Sequence, residues 1–321
     1  MSFIAEKVHF NRKQRLQQLA FIVLVVVVCV AISKVHTPQS TVTLQTQPVG
    51  IMGTSCTLRI TLPASCLQEG KQLLENAETE LRRCEALTSN WLETSEISQF
   101  QRLEAEKKLP LSPFTRDVFL RAKKAMEETD GAFDITCGRL WNLWKDAEKT
   151  GVPPSAEKLH EGRQTSCWDA IVLEENAILK KNADVEVVTG GIAKGMAIDR
   201  ALQTLRGENV LSAFVEVGGD TVVWENEMPV QIAGSSETLT LRNGGVCTSG
   251  HTERFFEIGG QKYSQILHPQ TGMPVPRTFS VTVTAPDAAT ADIWATALEV
   301  LGPEGESLFL QHCPEGKVLF H

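Results

Sequence analysis

Val188-Thr-Gly-Gly-Ile-Ala-Lys-Gly-Met-Ala-Ile-Asp199 is the stretch on which the reading of this chain turns. Gly190 and Gly191 break an apolar, β-like run, and Gly195 follows four residues after Gly191. A helical pattern starts at once, carried by Ile192, Ala193, Met196, Ala197, Ala201, Leu202 and Leu205. Glycine lets backbone approach a ligand closely, and the unpaired N–H groups of a helix start favour anions. With Lys194 between the glycines, the stretch has the makings of a pyrophosphate cradle. It lacks the Gly-Lys-Ser/Thr ending of a P-loop and the Gly-x-Gly spacing of a dinucleotide fingerprint. By itself, such a strand-to-helix turn is as readily plain architecture.

Outward from the cradle, strands dominate. Leu211–Val217 reads as a strand ending at Gly218-Gly219-Asp220, a turn taken as structural support. Val222–Trp224, Val230–Ala233, Glu237–Leu241, Tyr263–Leu267 and Phe279–Ala285 read as further strands, and Val246–Arg254 contains Thr248-Ser249-Gly250-His251 and Arg254. Asp287 caps a final helix, about Ala288–Leu301, that stops at Gly302-Pro303. Upstream, Pro48–Leu62 is a strand with a glycine-bent start, and about Gln68–Leu87 is an amphipathic helix. Ser112-Pro113 opens a helix running to about Thr129. Thr88–Phe100 reads as a polar connection, and Ala132–Gly138 as a strand-like segment holding Asp134 and Thr136. Gly151–Ser166 reads as a loop, followed by short strands at Cys167–Leu173 and Ala177–Lys181. Many strands, a few long helices and an irregular order make the class α+β.

The chain has 321 residues, 42% hydrophobic and 22% charged, enough for one large core or two smaller ones. Its formal charge is −8, yet residues 1–18 set four basic side chains against Glu6, so everything beyond is more acidic still. Such a body argues against a nucleic-acid partner. Eight cysteines form no Cys-x-x-Cys pair, which leaves a zinc site without support and favours buried free thiols. Leu19–Ile32 is almost wholly apolar and follows a basic flank, the pattern of an export signal or signal anchor. The expected organisation is a basic cytoplasmic tail at 1–18, a signal anchor or transmembrane segment at 19–33, a linker at 34–46 and one domain at 47–321.

Taken in order, the motifs resemble those of the FAD:protein FMN transferases, the ApbE-like flavin transferases. They are Met52-Gly53-Thr54, Ser95-Glu96-Ile97-Ser98, Gly131-Ala132-Phe133-Asp134-Ile135-Thr136 and Gly190-Gly191-Ile192-Ala193-Lys194-Gly195. Gly218-Gly219-Asp220, Thr248-Ser249-Gly250, His268-Pro269-Gln270-Thr271-Gly272 and Ala291-Asp292 with Ala295-Thr296-Ala297 complete the series. No single motif is specific; the resemblance rests on eight in order, from about Gln45 to the C-terminus. It implies a T-fold-like α+β domain and Mg²⁺-dependent transfer of FMN from FAD to a threonine hydroxyl of a target protein, with release of AMP. The implied partner is a threonine-bearing subunit of a membrane redox complex, met on the outer, periplasmic face of the cytoplasmic membrane. Some relatives instead hydrolyse FAD, and a non-catalytic FAD-binding module is a third possibility.

The resemblance also assigns roles. Asp292 and Thr296 are i,i+4 on the last helix, a pair that taken alone reads as a hydrogen-bonded face. The family makes them Mg²⁺ ligands, joined by backbone carbonyls at Gly191 and Ala295. Lys194 reaches the flavin or its phosphates, and Met52, Trp91, Ala132, Phe133, Asp134 and Ile266 match FAD-contacting positions. Trp91 stands where relatives often carry tyrosine and offers a stacking face, and Phe133 offers another. Two positions depart from the pattern. Val188 replaces an aspartate that helps hold FAD, and Gln265 replaces the histidine expected to take the threonine proton. A neutral amide has no useful basicity, so His268 and His251 become the candidate bases, a structural role for each remaining open.

Overall fold

Alternation of apolar residues builds the first strands. The structure is a computed structural model describing residues 40–225, 227–231, 238–250, 255–276 and 279–321. It opens with β1 (Thr41–Thr46), β2 (Val49–Ile51) and β3 (Thr54–Pro63), the last burying Cys56, Leu58, Ile60 and Leu62 on one face. Helix α1 (Leu67–Thr88) buries Leu74, Ala77, Leu81 and Cys84 at helical spacing. A short helix α2 (Glu96–Gln101) is capped by Ser95, whose side chain accepts the Ser98 N–H, and β4 (Lys107–Pro110) follows. Ser112 caps α3 (Pro113–Glu128) with proline in the first turn. Then come α4 (Gly138–Thr150), α5 (Ala156–Thr165), β5 (Ile171–Leu173) and β6 (Ala177–Lys180).

Beyond the cradle, α6 (Ala193–Leu205) leads into β7 (Ser212–Val217), β8 (Asp220–Trp224), β9 (Met228–Gln231), β10 (Thr238–Leu241) and β11 (Gly244–Ser249). The chain continues through the hairpin β12 (Phe255–Ile258) and β13 (Gln261–Ser264), then β14 (Val281–Ala285), α7 (Ala288–Leu301), α8 (Glu306–His312) and β15 (Lys317–Phe320). The principal sheet runs β1-β3-β7-β8-β11-β14-β15, with β2 paired to β3. Helix α6 packs against both α1 and α7, and all three lie on this sheet. Ala213, Val215 and Val217 of β7 share one core with Ile198, Ala201 and Leu205 of α6 and with Ala291 and Leu298 of α7. A smaller sheet, β4-β6-β5, and a second apolar cluster around Leu140, Trp144 and Phe256 flank it. Val42–His321 forms one unit.

The α+β class holds, and several local expectations are corrected. The polar connection contains α2, and the loop at 151–166 contains α5, which buries only Leu159 and Gly162 and so shows no apolar stripe. Ala132–Gly138 is not a strand, because the Asp134 carboxylate accepts both the N–H and the hydroxyl of Thr136 and turns the chain. Strand β1 lies within the stretch read as a linker. Seven cysteines, Cys56 to Cys313, are free thiols. The apolar run at 19–32 lies outside the described residues, among which no helix is long and apolar enough to cross a membrane.

Candidate functional site

Side-chain amides hold the cradle where a strand partner would. Val187 passes its N–H to Gln101 Oε1 (3.1 Å), and its carbonyl accepts from Gln101 Nε2 (2.6 Å) and Asn90 Nδ2 (2.9 Å). Asn90 Oδ1 accepts the Thr189 N–H at 3.1 Å, and the Val188 N–H goes to the Ile135 carbonyl at 2.8 Å. With 187–189 pinned, the chain turns through the two glycines and α6 begins without a side-chain cap. The Gly195 N–H, which a longer helix would return to Gly191, goes instead to Asp292 Oδ2 on α7 at 2.9 Å. A Cβ on Gly191 would lie 2.7 Å from Thr296 Oγ1 and 3.1 Å from the Phe133 ring. Gly191, Asp292 and Thr296 are thereby brought together, from positions about a hundred residues apart.

The electrostatics are those of a buried, over-acidic cluster. Lys194 Nζ pairs with Asp220 Oδ2 at 2.5 Å, and Asp220 Oδ1 accepts the Thr248 N–H at 3.1 Å. Burial works against the charge on Lys194, but the Asp220 and Asp292 carboxylates outweigh it and hold the ammonium well above its ordinary value. Burial first, and then Asp220, push the Asp292 carboxyl up to about 7, against the pull of Lys194. Two carboxylates thus face one lysine, and the surplus negative charge calls for a proton or a cation. The Lys194 side chain keeps 25% exposure, so one edge of the cluster is open to a substrate.

Other predicted residues fall around this centre in different ways. Met52 sits at φ 50° in the β2–β3 turn. Trp91 is 66% exposed, with Lys145 Nζ 3.8 Å over its ring and Trp141 edge-on at 5.9 Å; Trp141 in turn meets Phe256 at 5.4 Å. Phe133, expected to offer a ring face, is 3% exposed and backs Gly191 instead, because core packing claims its ring. Asp134 is committed to its turn, burial pushing its carboxyl up. Ala132 is buried, and Ile266 uses its carbonyl to accept the Val275 N–H. Ala295 is 1% exposed inside α7, where its carbonyl belongs to the helix ladder.

His268 opens a tight loop in which its carbonyl accepts the N–H groups of Thr271 and Gly272, and its Nδ1 is buried with no hydrogen-bond partner among the described residues. His251 lies outside the described residues. Gln265 leans its amide toward the Phe255 carbonyl at 3.4 Å, and Val188 packs against the apolar cluster of α4. Sequence reasoning missed Gln101, Asn90, Trp141 and Lys145 and gave Asp220 only a turn's role. The amide brackets and the Lys194–Asp220 pair are tertiary contacts with no local spacing; only the motif Gly218-Gly219-Asp220 pointed their way.

Fold and site together give an α+β protein in which buried acidic and basic groups meet at one helix head. Comparison supplies the family: the ApbE family model matches residues 52–320, and the chain belongs to the ApbE family. It is 30% identical to the FAD:protein FMN transferase of Haemophilus influenzae over 79% of each chain. With that of Escherichia coli it shares 29% identity over 77% of this chain and 76% of the relative. Among solved structures, the ApbE protein of Thermotoga maritima superposes with a TM-score of 0.74 at 29% identity, covering 87% of this chain and 94% of the other. The flavinyl transferase ApbE of Pseudomonas stutzeri gives 0.72 at 25%, covering 88% and 90%.

Proposed function

We propose that the chain transfers FMN from FAD to a threonine hydroxyl of a target protein with the help of Mg²⁺, releasing AMP. It is an enzyme of the kind its relatives are named for, an FAD:protein FMN transferase. The observation that carries the finer reading is the convergence of Asp292, Thr296 and Gly191 beside the Lys194–Asp220 pair. These residues fit the ion. Mg²⁺ takes oxygen ligands, and the set offers a carboxylate, a hydroxyl and the Gly191 carbonyl, which accepts no backbone hydrogen bond among the described residues. Those residues hold no cluster of three His, Cys, Asp or Glu side chains for a metal, so substrate phosphates would complete the shell. When bound, the ion neutralises charge on the diphosphate.

The protein's own part is positioning. Lys194, fixed by Asp220, meets the phosphates, and the α6 head receives their negative charge. A bond forms between threonine Oγ and the FMN phosphorus as the bond from that phosphorus to AMP breaks. His268, three residues after Gln265, is the base we assign to the threonine proton. Incubation with FAD and Mg²⁺, with and without a threonine-bearing target domain, tests this. Flavin fluorescence on the denatured target supports transfer, AMP without it means hydrolysis, and FAD retained intact means a binding module. Gln265 in place of the family's histidine is what keeps hydrolysis as the second reading. The basic flank and apolar run near the N-terminus support a single-span anchor with the domain on the periplasmic face, which protease access in spheroplasts checks.

A further inference from the structure

We propose that Asp199 is a positioning residue: reaching from α6 to the head of α7, it fixes where Asp292 stands and so sets the site's affinity for its divalent ion. The proposal rests on the reading of Asp292 as a ligand to that ion. Asp199 closes the Val188–Asp199 stretch, and nothing in the proposed chemistry uses it.

Its contacts are specific. Asp199 Oδ1 accepts the Ala288 N–H and Oδ2 the Ala289 N–H, both at 2.9 Å, and these are the first two residues of α7. In return, α7 sends Asp292 Oδ2 to the Gly195 N–H in the first turn of α6, also at 2.9 Å. Each helix therefore caps the other with a carboxylate. Asp199 stands four residues after Gly195, and Ala288 four before Asp292, so the two contacts are one helical turn apart on an antiparallel pair. At the crossing a Cβ on Gly195 would lie 2.6 Å from the Ala288 carbonyl oxygen, so the backbones touch. One bridge alone would leave α7 free to pivot about that contact; two fix both its rotation and its slide. Asp287, the ordinary N-cap of α7, binds its own Thr290 N–H and Arg121, and ties α7 to α3 rather than to α6.

Asn in place of Asp199 keeps the shape but offers one acceptor oxygen and turns an NH₂ toward the second N–H. Asp199 borders an open cleft shared with Arg121 and Gln203, so the substitution seals no cavity. Mn²⁺ titration of the full chain with FAD present, followed by electron paramagnetic resonance, is the test. Asp199→Asn should weaken Mn²⁺ binding roughly tenfold, while Asp287→Ala, which uncaps the same helix, should stay within about twofold of wild type. Unchanged binding in Asp199→Asn, or equal weakening in both variants, overturns the proposal. Asp292→Asn run alongside separates the layers: if it leaves Mn²⁺ binding intact, the ligand reading is wrong and this proposal falls with it. If it abolishes binding while Asp199→Asn shifts nothing, the positioning role alone falls. Should Asp199→Asn fail to fold, amide exchange of the wild type decides. Mg²⁺ with FAD should slow exchange at Ala288 and Ala289 at least about fivefold, and protection confined to Gly195 overturns the idea.

Discussion

His268 and Asp199 show how single side chains here can be interrogated by what surrounds them. His268 has its backbone tied into the loop, and its Nδ1 has no hydrogen-bond partner among the described residues, so removing the ring leaves the loop's backbone hydrogen bonds in place. His268→Ala should bind FAD as the wild type does and lose flavinylation about a hundredfold or more. Full activity in that variant would remove the histidine from the mechanism. For Asp199, burial first and Asp287 second push the carboxyl up to about 6 from 3.8, against hydrogen bonds from Ala289 and Ala288. The folded state therefore holds the proton more tightly than the unfolded chain does. That contribution to stability is complete below about pH 4 and is lost as pH rises to about 6, an effect on the order of 2–3 kcal/mol. Asp199→Asn, which cannot titrate, should lack this downward limb in urea melts between pH 4 and 7. Parallel stability profiles of the two proteins would contradict the shift.

At the scale of elements, the cradle depends on α2. Gln101 at its end replaces a strand for Val187, and the buried Lys180 ammonium donates to the carbonyls of Phe100 and Gln101, holding that end in place. Gln101→Ala leaves the Val187 N–H without its acceptor, at a cost of about 1–3 kcal/mol. Because the loss falls on the stretch before Gly190, the KM for FAD should rise more than the melting temperature falls. A variant with lowered stability and unaltered KM would make Gln101 a plain core residue. Much of the element order was legible in the sequence where local chemistry speaks: Ser112-Pro113 for α3, Asp287 for α7, alternation for β3 and β7. It was silent for α4, whose N-cap Cys137 gives no side-chain cap, and for α5, whose buried face is two residues wide. For the site, motif order named Gly191, Lys194, Asp292 and Thr296, which the fold brings together. The Lys194–Asp220 pair is supplied by the fold and not by spacing, and a ring beside glycines, as at Phe133, reads the same whether core or ligand claims it.

At the scale of the whole molecule, five of the seven described thiols lie inside. Burial first, with nearby acidic groups adding, pushes the thiols of Cys56 and Cys84 up to about 12, and Cys137, Cys247 and Cys313 are also buried. Of the seven described cysteines, Cys66 and Cys167 alone should react with a thiol reagent in the native state at pH 8, the rest following only after denaturation. Rapid native labelling of Cys247, beneath the site, would mean that this core opens readily. The mutual capping of α6 and α7 has a consequence for the timing of synthesis. Gly195 and Asp292 are 97 residues apart, and the strands from β7 to β14 are made between them. A nascent chain that has emerged through β13 already contains the glycine turn, Lys194 and Asp220, but α7 does not yet exist. Half of the centre is missing until α7 has been made, so the growing polypeptide cannot close it while only the strands between are in place.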